Sequence, residues 1–150
     1  MNEKDVKVAM SAALATLLER DSYLLLMNVN ERSISHRLAI YLESQFPGWD
    51  IDCEYNRNHD DVKRLQLEAR HASDADIEAV TVFPDIIVHH RSKDDNLLVI
   101  EMKKTNSKEN ADYDMKKLHA FKNELKYRFA VFVQLETGSG HVGIRTLEFI

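Results

Sequence analysis

The chain has 150 residues, of which 44% are hydrophobic and 30% charged, a balance that fits one folded domain and excludes a disordered tail or a membrane protein. Its single cysteine, Cys53, excludes an internal disulfide, and no Cys or His cluster has structural zinc spacing. A net charge of −5 excludes a basic coat for nucleic acid, yet residues 1–100 carry 11 basic and 18 acidic side chains while residues 101–128 carry 8 and 5, so polyanion contact belongs to the later segment.

Apolar residues at three- and four-residue spacing, Val6, Met10, Ala13, Leu14, Leu17 and Leu18, predict a packing helix within an amino-terminal segment of residues 1–28. A second helix is signposted by Asn30 as its cap, Glu31 at the positive end of the dipole and the stripe Ile34, Leu38, Tyr41, Leu42 and Phe46. It should stop near Pro47-Gly48. Alternation through Ile51, Cys53 and Tyr55 predicts a strand, with Cys53 packed as a small hydrophobe. Residues 56–80 are polar, anchored by Val62, Leu65, Leu67 and Ile77, and read as a long excursion with a helical turn or two. Two β-rich runs, Val80 to His90 and Asn96 to Lys103, flank the turn-like residues 91–95 and predict a hairpin. Asp112 to Leu125 reads as a helix with Tyr113, Leu118, Phe121 and Leu125 inward and its lysines outward. Strands from Tyr127 to Leu135 and from His141 to Ile150 follow.

The hairpin carries the chemistry. Pro84-Asp85 opens one strand and Glu101-Met102-Lys103 closes the other. Residues two apart on a strand share a face, so Glu101 and Lys103 point the same way. A hairpin symmetric about Lys93 sets His89 opposite Leu97, Ile87 opposite Val99 and Asp85 opposite Glu101, with the carboxylates about 5 Å apart. Such a like-charge pair calls for a cation, and a hard ion, Mg²⁺ or Mn²⁺, takes one or two carboxylates plus phosphate oxygens. Asp85, Glu101 and the Met102 carbonyl supply that half-shell. Lys103 is placed to hold or deprotonate an attacking water, which makes this a phosphodiester hydrolysis site.

Pro84-Asp85, fifteen intervening residues and Glu101-Met102-Lys103 resemble the motif of the PD-(D/E)xK nuclease superfamily. The resemblance covers roughly residues 30–135, with 136–150 as a closing strand. It implies a single α/β domain with a restriction-endonuclease-like core, a mixed sheet of about five strands flanked by helices in the order α-α-β-β-β-α-β-β. It further implies that Asp85 and Glu101 bind Mg²⁺, that Lys103 positions the nucleophilic water and that Glu31, on the helix before the first core strand, joins the metal site. The runs Asp52-Cys53-Glu54-Tyr55-Asn56-Arg57, Pro84-Asp85-Ile86-Ile87-Val88 and Leu97-Leu98-Val99-Ile100-Glu101 are similar to an uncharacterised bacterial branch of this superfamily. The expected partner is nucleic acid, DNA first, and the expected state a homodimer, since one site cuts one strand.

Arg57, Lys104 and Lys117 are candidate phosphate contacts; Arg57 equally suits a salt bridge to the acidic 59–61 region. The remaining lysines read as a solvated face. Each motif residue also has a structural reading: Asp85 as a strand-entry residue after proline, Glu101 with Lys103 as an exposed charge pair, and Glu31 as a dipole partner. His89 and His90 point to opposite faces and cannot form a two-histidine clamp. The longest apolar stretch, Tyr23–Met27, is too short to span a bilayer, and the charged start Met1-Asn2-Glu3-Lys4-Asp5 lacks a secretory layout, so a cytoplasmic location without membrane partners is expected. The rival to a nuclease is a binding or assembly module on the same fold whose carboxylates are remnants.

Overall fold

The computed structural model describes residues 1–55, 57, 58, 61, 62, 64–68 and 77–150, with backbone alone for those between 57 and 81. Helix α1 (Glu3–Leu26) opens on a reciprocal cap in which Asn2 and Asp5 each accept the other's backbone N–H. Its backbone departs from helical geometry at Asp21 (φ −124°, ψ 20°). The Asp21 carboxylate accepts from Arg37 Nε at 2.9 Å and from the Tyr41 hydroxyl, both on helix α2 (Glu31–Glu43), and so ties the two helices together. Asn30 caps α2 by accepting the Ser33 N–H at 2.8 Å, as its sequence predicts.

Five strands form the central sheet in the order β1-β6-β7-β8-β9: β1 (Asp50–Cys53), β6 (Ile86–His89), β7 (Asn96–Lys104), β8 (Phe129–Glu136) and β9 (Gly143–Phe149). β7 and β8 run parallel and the other neighbours antiparallel, so the sheet is mixed. The parallel pair needs a crossover, and helix α3 (Ala111–Glu124) supplies it. Side chains alternate between two cores. Ile86, Val88, Leu98, Ile100, Met102, Val131 and Val133 pack with α1 and α2 on one face. Ile87, Val99, Ala130 and Phe132 pack with Leu118 and Phe121 of α3 on the other. Covered on both faces, β6 and β7 read as continuous apolar runs rather than alternating ones.

Two expectations change and one falls outside the described residues. Between β1 and β6 the described backbone forms two ribbons, β2 (Arg57–Asn58) with β3 (Asp61–Val62) and β4 (Arg64–Glu68) with β5 (Ile77–Thr81), and the helical turn or two expected within 56–80 lies outside the described residues. Apolar Leu65 and Leu67 two apart are a strand pattern that the surrounding charge obscures. The run Val80 to His90 is two strands, because it breaks at 82–85 around Pro84, which has no N–H to offer a ladder. The β6–β7 hairpin keeps Ile87 opposite Val99, but an irregularity between Val88 and His89 sets His89 opposite Asn96 instead of Leu97.

Candidate active site

The last β6–β7 pair is Ile86 with Ile100, which brings Asp85 alongside Glu101 just beyond the ladder. Asp85 Oδ2 accepts the Met102 N–H at 2.7 Å, so the edge of β7 fixes this carboxylate in place of a strand partner. Glu101 and Lys103 share the face covered by α3 and are 1% and 4% exposed. The exposed charge pair is thereby overturned: the pleat turns both side chains under the crossover helix. From α3, Lys117 Nζ donates to Glu101 Oε2 at 2.7 Å, and Asp114 Oδ2 lies 2.5 Å from Lys103 Nζ, an ion-pair contact outside hydrogen-bond geometry. Asp114 and Lys117 are themselves 3.6 Å apart, which links the four charges in a chain from Lys103 to Glu101. Glu31, in the first turn of α2, accepts the Lys104 N–H at 3.1 Å and so abuts the same end of β7.

Electrostatics mark this end of the sheet as short of positive charge. Burial, then the neighbouring Asp85, pushes Glu101 well above the usual carboxylate range. Burial also raises Asp85 against the opposing Met102 N–H, and burial followed by Asp85 raises Glu31. Lys117 is raised despite its burial, because Glu101 holds it charged. Four carboxylates, Glu31, Asp85, Glu101 and Asp114, thus meet two ammoniums, Lys103 and Lys117. Glu101 Oε1 is buried without a hydrogen-bond partner. Two more carboxylates than ammoniums, an orphaned oxygen and an all-oxygen donor set on Asp85, Glu101 and Glu31 fit a hard dication. Among the described residues no group of three or more His, Cys, Asp or Glu side chains already has metal-holding geometry.

In front of Asp85 lies a cleft of about 440 Å³, lined also by Glu31, Arg32, Ser35, His36, Cys53 and Glu54. Arg32 Nε donates to Glu54 Oε1 at 2.8 Å across its exposed rim. Cys53 is exposed here rather than packed, because it ends an edge strand, and burial followed by Asp52 pushes its thiol up to about 11.

The structure therefore brings Asp85, Glu101, Lys103, Glu31 and Lys117 to one end of the sheet. Lys117 turns inward, against the expectation that the lysines of this helix face out, since it follows the buried Asp114 by one turn. The Lys104 ammonium is taken up by Asn28 Oδ1 and the Val29 carbonyl, both at 3.0 Å, where it braces the α1–α2 turn. The Met102 side chain packs in the α1–α2 core. The side chain of Arg57 lies outside the described residues. His89 is 3% exposed, with Nε2 2.8 Å from Asp52 Oδ2, and has no place in the site.

Sequence reasoning missed Asp114. Its signal was present: positions 114, 118, 121 and 125 form one stripe, and an aspartate heading an apolar stripe needs a cationic partner inside. Comparison with protein-family models, with curated proteins and with solved structures finds no match to this chain. No helix among the described residues is long and apolar enough to cross a membrane.

Proposed function

We propose that the protein is a metal-dependent nuclease with a restriction-endonuclease-like core, hydrolysing phosphodiester bonds of DNA with Mg²⁺ or Mn²⁺. The observation that carries this reading is the pair Asp85 and Glu101, adjacent, largely buried and raised, with Glu101 Oε1 left unpartnered. Buried like charges of this kind are destabilising without a cation, so the fold tolerates them for what they bind. Asp85, Glu101 and Glu31 would hold the metal. Bound there, it supplies Lewis-acid polarisation of a phosphate oxygen and a water of lowered pKa. Lys103 carries a positive charge beside these carboxylates, suited to orient the attacking water and to stabilise charge building on the phosphate. The Met102 N–H keeps the Asp85 carboxylate from rotating away. The cleft in front of Asp85 gives a phosphodiester its approach, with Arg32 at the rim as a phosphate contact.

The test is cleavage of plasmid, linear duplex and single-stranded DNA, and of RNA, with Mg²⁺ or Mn²⁺ and with chelator. Asp85→Ala and Lys103→Ala should each abolish the metal-dependent activity, and activity surviving both excludes the mechanism. Nicking that precedes linearisation is expected of one site per chain, with double-strand cutting left to a homodimer.

A second reading, a catalytically inactive module on this fold, is favoured by one observation: Lys117 and Lys103 already occupy Glu101 Oε2 and Asp114. Titration calorimetry separates the two, because the inactive module gives no Mn²⁺ heat that Asp85→Asn removes.

A further inference from the structure

We propose that Asp114 is the positioning residue of this site, holding the Lys103 ammonium in the direction from which it acts; the proposal rests on the nuclease reading above. Lys103 can pivot about four side-chain bonds, and freezing a lysine costs rotamer entropy, so a lysine that must meet a water at a fixed point needs an anchor. Asp114 Oδ2 lies 2.5 Å from Lys103 Nζ, and the two side chains are 7% and 5% exposed. The other neighbouring acid, Glu109, is 3.7 Å away with a 62% exposed side chain, and an exposed partner at that distance contributes little.

Asp114 heads the inward stripe of α3, where Leu118 and Phe121 follow it into the core. A leucine there facing an apolar residue at 103 would hold α3 on the sheet at least as well, because buried ion pairs seldom add net stability over hydrophobic packing. The pair therefore has a use other than holding the fold. The lacing is directional: β7 presents acid then base at 101 and 103, and α3 presents their complements at 117 and 114. Lys117 grips Glu101 by Oε2 and leaves Oε1 without a hydrogen-bond partner, while Asp114 holds the Lys103 ammonium by charge alone and leaves its protons for water and phosphate. Rigid neighbours that orient chemical groups in this way typically contribute 10–100-fold to affinity or rate.

The experiment compares wild type with Asp114→Asn and Asp114→Glu in the full chain. Steady-state cleavage of a duplex oligonucleotide gives kcat and KM, Mn²⁺ calorimetry without substrate gives the metal dissociation constant, and NMR of the ¹⁵N-labelled protein gives the Lys103 Nζ–H signal, assigned by its loss in Lys103→Met. For Asp114→Asn the expected result is a kcat lowered about 10–100-fold, with KM and the Mn²⁺ constant within about threefold and the Lys103 signal broadened by solvent exchange. Should Asp114→Asn fail to fold, Asp114→Glu retains the charge and displaces it by one methylene, and the same split between kcat and KM is expected at smaller size. A folded Asp114→Asn with kcat within about threefold of wild type, or with an unchanged Lys103 signal, overturns the proposal. So does a loss of kcat that only tracks weakened Mn²⁺ binding. A wild type that binds Mn²⁺ at Asp85 yet cleaves no nucleic acid overturns the nuclease reading itself, an outcome visible before any variant is compared.

Discussion

Cys53 is an exposed residue lining the cleft beside Asp85, and the partial burial of its thiol, followed by the surrounding Asp52, Asp85 and Glu54, pushes that thiol up to about 11. Thiolate is the reacting form, so at a pH of about 8 alkylation should run on the order of a hundredfold slower than for a free cysteine. Mass-spectrometric labelling with iodoacetamide checks this, and a rate equal to that of glutathione contradicts the electronegative cleft. Lysine at 117 shows where single-residue reading stops. The sequence places it in a basic segment among five neighbours of the same sign between 103 and 122, and only the fold reveals that it faces Glu101. Asp85, Glu101 and Lys103 were legible because strand alternation and a short turn fix their relative faces locally. Asp114 was legible only as an anomaly in a stripe, since its partner sits on another element.

At the level of elements, α2 links its own cap to the site. Asn30 fixes where the helix begins, and Glu31, the next residue, reaches the Lys104 N–H at the end of β7. Asn30→Ala should cost about 1 kcal/mol, lowering the melting temperature by roughly 2–4 °C. A thermal melt with no shift would show that the Lys104 brace alone sets the helix start. Helices and inner strands followed from periodicity because each buries a stripe or a whole run. The ribbons between β1 and β6 did not follow, because two-residue strands such as Arg57–Asn58 and Asp61–Val62 carry too few residues to show a period. The division of Val80 to His90 was marked by Pro84, which the sequence reading already placed at the opening of a strand while still treating 80–90 as one run.

Across the whole molecule, two sets of carboxylates pull stability in opposite directions with pH. Glu31, Asp85 and Glu101 are raised in the fold, so the native state holds more protons than the unfolded chain above the ordinary carboxylate range, and their contribution is lost as pH rises toward neutrality. Asp21 and Asp52 are lowered: burial pushes each up, but Tyr41 and Arg37 in one case, and Arg91 and His89 in the other, outweigh it. Their contribution is lost as pH falls below the ordinary range. With chelator present, the melting temperature should therefore be higher at pH of about 5.5 than at about 8, and Asp85→Asn should flatten the decline. Added Mg²⁺ at the higher pH should recover the difference, as a ligand of the native state alone must. The crossover through α3 has a consequence during synthesis. Because the ribosome delivers the chain from its amino end, the hairpin with Asp85 and Glu101 emerges before Lys117, and the parallel strand β8 that closes the crossover emerges later still. Until then the two acids have no ammonium from α3, so the nascent hairpin remains solvated, and only the arrival of the downstream strand draws these charges under cover.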